Sequence, residues 1–148
     1  MRFVRKLVLV GVVGGLGAGC SGDSTGTSLP DLVGTWHATT AVVTSVANPG
    51  TSVNLIALGA TLQITFNANL SYTSTITVPG EAPEVSNGTY VETANQLTLH
   101  DNSSSGSDTI VFGLGLSGGT LSLTGGTPFT FNFGAGEVPA RLDVTAVH

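Results

Sequence analysis

The chain is 148 residues long, enough for one domain with one core, and carries nine acidic side chains against four basic ones. Three of the bases, Arg2, Arg5 and Lys6, stand in the first six residues, so beyond them Arg141 alone opposes nine acids, a net charge of −8. A domain this poor in cations repels nucleic acid and anionic lipid headgroups, which excludes both as direct partners of its surface.

Met1 to Lys6 forms a charged n-region, Leu7 to Ala18 a short apolar run, and small residues precede Cys20, a pattern that predicts an export signal over residues 1–19. The apolar run falls well short of the roughly twenty residues that cross a bilayer as a helix. Leu16-Gly17-Ala18-Gly19-Cys20 resembles a lipobox, and the resemblance implies cleavage before Cys20 and acylation of its thiol. The chain has no second cysteine to pair with it in a disulfide. Residues 20–28, rich in Ser, Thr and Gly, then read as a lipidated cysteine and flexible tether ahead of a domain over 29–148. The expected location is a bacterial cell envelope, with the protein held on a membrane at its periplasmic or surface face. The membrane enters as a partner only through that N-terminal lipid anchor.

Leu29-Pro30-Asp31-Leu32 can make one helical turn capped by Ser28, after which a first strand starts near Gly34 and runs to about Val46. Trp36, the only tryptophan, shares a face with Ala38, Thr40 and Val42, and its large apolar surface belongs in the core. Gly34 lets another segment pass close to the strand start. After the turn signal Asn48-Pro49-Gly50, Val53 to Leu58 is apolar and fits either a strand or a short helix.

Leu62, Ile64 and Phe66 alternate with polar residues, and the chain returns over Leu70 to Val78 with Leu70, Tyr72, Ile76 and Val78 on one face. The connection Asn67-Ala68-Asn69 suits a tight turn with Asn69 left-handed. Pro79 to Asn87 reads as a loop, and Gly88 to Thr93 with Gln96 to Asp101 as a hairpin about Ala94-Asn95. The stretch from Asp101 to Asp108 is rich in oxygens but lacks ordered calcium-ligand spacing, so it reads as a solvated loop. Thr109 to Leu116 and Thr120 to Thr124 flank Ser117-Gly118-Gly119, whose glycine pair suits a primed turn. Beyond Gly125-Gly126, Phe129, Phe131 and Phe133 alternate with polar residues, and Arg141 to Val147 is the last strand after a Gly134 to Ala140 loop.

This is an all-β chain: an antiparallel up-and-down meander of eight or nine strands, expected to close into a barrel because closure removes exposed edges. A two-sheet β-sandwich gives the same alternation and is the alternative. Gly34-Thr35-Trp36, then Phe66-Asn67-Ala68-Asn69-Leu70-Ser71-Tyr72, Gly88-Thr89-Tyr90 and Gly119-Thr120-Leu121-Ser122-Leu123, in that order, resemble the bacterial lipocalin-like lipoproteins. The resemblance implies a lipocalin-type barrel, with Gly34 and Trp36 at its closed end and an arginine, here Arg141, lying over the tryptophan. On the residues alone, Arg141 equally suits a surface pair with Asp143 or Glu137.

His37, His100 and His148 stand in no metal-ligand spacing, no Gly-x-Ser-x-Gly elbow surrounds the hydroxyls, and no glycine cluster precedes a helix to cradle phosphate. No cofactor is expected, and the chain does not read as an enzyme. The expected function is a binding module for a small apolar ligand, with Ala38, Thr40, Leu62, Ile64, Tyr72, Ser74, Tyr90 and Glu92 as candidate lining residues. Glu92 faces inward if Tyr90 does, and is ordinary surface if Val91 and Thr93 do. The alternative function is protein interaction, as an inhibitor of a cationic enzyme or an envelope structural part, for which the −8 charge would supply steering.

Overall fold

The computed structural model describes residues 31–102 and 109–148. The signal segment, Cys20, the tether and most of the Asp101 to Asp108 loop lie outside the described residues.

The strands are β1 (Gly34–Ser45), β2 (Ser52–Asn54), β3 (Thr61–Phe66), β4 (Ser71–Thr77), β5 (Glu84–Glu92), β6 (Gln96–Asp101), β7 (Thr109–Ser117), β8 (Thr120–Asn132) and β9 (Glu137–Val147). Every sequential neighbour from β3 to β9 pairs antiparallel, β1 pairs with β3, and β1 also pairs with β9. Eight strands therefore close into an up-and-down barrel, and β2 is a short extra strand on the late part of β1. The barrel reading holds and the sandwich does not. Val53 to Leu58 divides between β2 and a single 3-10 turn at Ile56–Leu58.

Three boundaries and one turn residue differ from the sequence reading, the last strand starting at Glu137, inside the expected Gly134 to Ala140 loop, because residues 137–140 pair with β8. β5 begins at Glu84 rather than Gly88, because Glu84, Val85, Ser86 and Asn87 pair with Ile76, Thr75, Ser74 and Thr73 of β4. Gly125-Gly126 does not end a strand: β8 runs through it with two register shifts against β9, so Thr120 to Asn132 is one irregular strand. In the β3–β4 hairpin the left-handed residue is Leu70, with φ 62°, and not Asn69. Asn69 serves the turn differently, its Oδ1 accepting from the backbone N–H of Ser71 at 3.1 Å and from the Ser71 hydroxyl at 2.7 Å. The glycine pair at 118 and 119 does make the primed turn, both residues having positive φ.

The most consequential irregularity is in β1. Ala38 lies opposite Ala146 and Thr40 opposite Thr145, so Thr39 is an extra residue bulged out of the β1–β9 ladder. One inserted residue exchanges the faces for the rest of the strand. Before the bulge Trp36 points inward; after it Ala41 and Val43 do, both fully buried. Thr40 and Val42, expected to continue the Trp36 face, therefore fall on the opposite one.

Strand direction gives the barrel two unlike ends. The turns at 67–70, 93–95 and 118–119, the start of β1 and the end of β9 gather at one end, where Leu32, Trp36, Phe66, Tyr90, Leu97 and Leu121 pack as a core. The opposite end receives the end of β1, the 3-10 turn, the β4–β5 connection and the start of β9.

Candidate functional site

At the closed end, Trp36 is buried and its indole Nε1 donates to the carbonyl of Leu32 at 2.9 Å, so the residue's polar handle is satisfied inside the core. Its aromatic partner is His148, edge-on with ring centroids 4.9 Å apart and an interplanar angle of 79°. The imidazole lies directly against Gly34, where a Cβ would overlap it and where φ is +138°, a conformation that favours glycine. The close approach expected at Gly34 is real, and it is made by His148, the residue that follows β9.

Arg141 does not share this end. Because β1 and β9 run antiparallel, the start of β9 lies beside the end of β1, and Arg141 is opposite Thr44. Thr44 lies eight residues along β1 from Trp36, roughly 26 Å at the usual strand rise. Arg141 is exposed and its Nε stands 3.7 Å from Asp143 Oδ2, the surface pair that the residues alone allowed.

Tyr90 points inward and its hydroxyl donates to the carbonyl of Asn67 at 3.1 Å, with its ring edge-on to Phe66 at 5.0 Å. Glu92 therefore shares the inward face. Its Oε2 is buried with no hydrogen-bond partner, and burial first, then the negative charge of Asp31, holds its pKa above the ordinary carboxylate value. Both residues belong to the closed-end packing and neither lines the cavity described next, contrary to expectation. Ala38 packs against the same core and Thr40 is turned away by the Thr39 bulge, so these two candidates also fall outside it.

The open half of the barrel encloses a cavity of about 560 Å³. Leu62, Ile64, Tyr72 and Ser74 line it, four of the eight candidates. Ala41, Ile76, Leu99, Ile110, Phe112, Phe129, Phe131, Leu142 and Val144 complete its apolar wall, and Leu55 and Leu58 reach it from the 3-10 turn and the residue before it. The space has a local cause. Ser74 and Ser86 are paired across β4 and β5, and Ala41 faces the same interior, so three small side chains occupy positions whose counterparts in the closed half carry Trp and Tyr. Phe129 and Phe131 were visible in sequence as an alternating pair, which already marked one face of a strand; their aim into the same space as Ser74 depends on closure.

Polar groups are few and placed at one side. Tyr72, Gly88 and Asp101 form one cross-strand row, Tyr72 opposite Gly88 and Gly88 opposite Asp101. With no side chain at Gly88, the Tyr72 ring lies over that position toward Asp101. Burial, then the Asp101 charge, pushes the Tyr72 hydroxyl up to about 12. Glu81 and Glu84 stand at the rim of the same cavity. His37 is exposed on the outside, and His100 bonds Thr109 Oγ1 through Nδ1 at 3.0 Å without reaching the cavity.

Comparison with protein-family models, with curated proteins and with solved structures finds no match to this chain.

Two outcomes follow from the closed end. In a urea double-mutant cycle, Trp36→Ala should cost about 3–5 kcal/mol and couple to His148→Ala by about 0.5–1.5 kcal/mol. The same Trp36→Ala change should be additive with Arg141→Ala to within about 0.5 kcal/mol, since those side chains do not meet. For Glu92, the raised pKa means that the folded state binds the proton more tightly than the unfolded state. Its contribution is therefore fully present below the unfolded carboxylate value and is lost as pH rises through the folded one. Glu92→Gln should raise the urea midpoint at pH 7 and leave it close to wild type near about pH 3.5; an equal effect at both values would show that the ionised carboxylate is not the cost.

Proposed function

We propose that the protein is a lipid-anchored binding module of a bacterial cell envelope, a lipocalin-like barrel that takes a small apolar ligand into its open half. The single observation that carries the binding reading is the cavity of about 560 Å³, within the roughly 300–1,000 Å³ that suits a small-molecule site, walled by aliphatic and aromatic side chains. Leu58, at 67% exposed, and Val78, at 37%, continue this apolar surface to the rim, where a ligand would first touch. The anchoring part of the proposal rests on the charged leader and the lipobox-like residues before Cys20. The tether after Cys20 would hold the barrel off the membrane with freedom to meet its ligand.

A neutral apolar fluorophore such as N-phenyl-1-naphthylamine tests the reading. It should bind saturably at one site with an affinity little changed by salt, because the contact is hydrophobic. Filling the cavity by Ser74→Trp, or separately by Ile110→Trp, should weaken binding at least about tenfold, or about 1.4 kcal/mol. Unsaturable binding, or binding indifferent to both variants while they remain folded, would refute it.

A further inference from the structure

We infer that the cavity selects amphipaths whose polar head is cationic, an alkyl amine or quaternary ammonium group on an apolar body. This rests on the proposed binding function and names the class of ligand for that same site.

The carboxylates of Glu81, Glu84 and Asp101 all line the cavity, on the β4–β5 connection and the facing ends of β5 and β6. Among the described residues that line the cavity none is basic, and Arg141, the one Lys or Arg beyond residue 6, is held on the outer face beside Asp143 while its neighbour Leu142 points inward. The potential at the mouth therefore has one sign.

A second feature lies deeper. Tyr72 is 5% exposed and lines the cavity, and its hydroxyl has no hydrogen-bond partner among the described residues. That hydroxyl opens into the cavity, where it can meet a polar atom of a guest. Its oxygen can accept from an ammonium N–H, and its ring, with those of Phe129 and Phe131 in the same wall, offers π faces to a quaternary head. An anionic head entering the same mouth meets three carboxylates and no cation, and like-charge juxtaposition of this kind rejects a ligand that the apolar wall would otherwise accept.

The test is isothermal titration of three ten-carbon probes below their micellar concentrations: decyltrimethylammonium, decanol and decanoate. The ammonium should bind at least about tenfold more tightly than the alcohol at low salt, and the alcohol more tightly than the carboxylate. Glu81→Gln with Glu84→Gln, both exposed positions that burial does not tie to folding, should bring the ammonium-to-alcohol affinity ratio down several-fold. Adding Asp101→Asn should bring the ratio close to one. Equal affinity for ammonium and alcohol, or tightest binding of decanoate, would overturn this inference and leave the apolar cavity reading standing. Failure of decanol to bind at all would instead remove the cavity reading. Ammonium binding that persists in a folded Ser74→Trp variant would be attraction to the acidic exterior, and would overturn the inference as well.

Discussion

The pairing of β1 with β9 is the constraint on which the rest depends. It joins residues more than a hundred positions apart, from His37 opposite Val147 to Ser45 opposite Ala140, and turns an open meander into a barrel. Without it two long strands of a Thr-rich sheet would present bare edges, and no lysine is available anywhere in the domain to protect them. Closure also fixes what meets what. It brings His148 over Trp36 and Gly34 at one end, and it sends Arg141 to the other.

The two ends then diverge in packing. Large side chains, Trp36, Phe66 and Tyr90 among them, fill one half to a tight core, with indole and phenol hydrogen bonds satisfied by backbone carbonyls. In the other half Ala41, Ser74 and Ser86 are too small to meet across the barrel, and the aliphatic and aromatic residues around them enclose a cavity instead. A barrel of eight strands is just wide enough for this choice between filling and holding, and the distribution of small residues makes it.

Much of this was legible in the sequence because alternation is a local property. Leu62, Ile64, Tyr72 and Ser74 sit on short regular strands with well-marked turns, and all four reach the cavity as expected. Thr40 marks where the alternation broke, while Ala38, before the break, keeps the Trp36 face and packs on the closed-end core. Thr39 bulges within a run of Thr-Thr that carries no glycine or proline to signal it, and a single inserted residue moves everything after it to the other face. Arg141 was misplaced for a different reason. Adjacency of the first and last strands was right, but antiparallel direction puts the beginning of one beside the end of the other, which separates Arg141 from Trp36 by most of the barrel's length. The Tyr72–Gly88–Asp101 row was invisible for the same kind of reason: it is a property of register across three strands, and no single strand carries it.

The register of the closing pair can be measured directly. His37 and Val147 are both exposed and face each other across β1 and β9, and directly opposed strand residues lie at a Cα separation that a disulfide spans. In a chain carrying Cys20→Ser, His37→Cys together with Val147→Cys should therefore oxidise readily to an intramolecular disulfide in the monomer, with the fold retained. Free thiols after oxidation, or bridges found only between two copies of the chain, would contradict closure in this register, and with it the two-ended barrel.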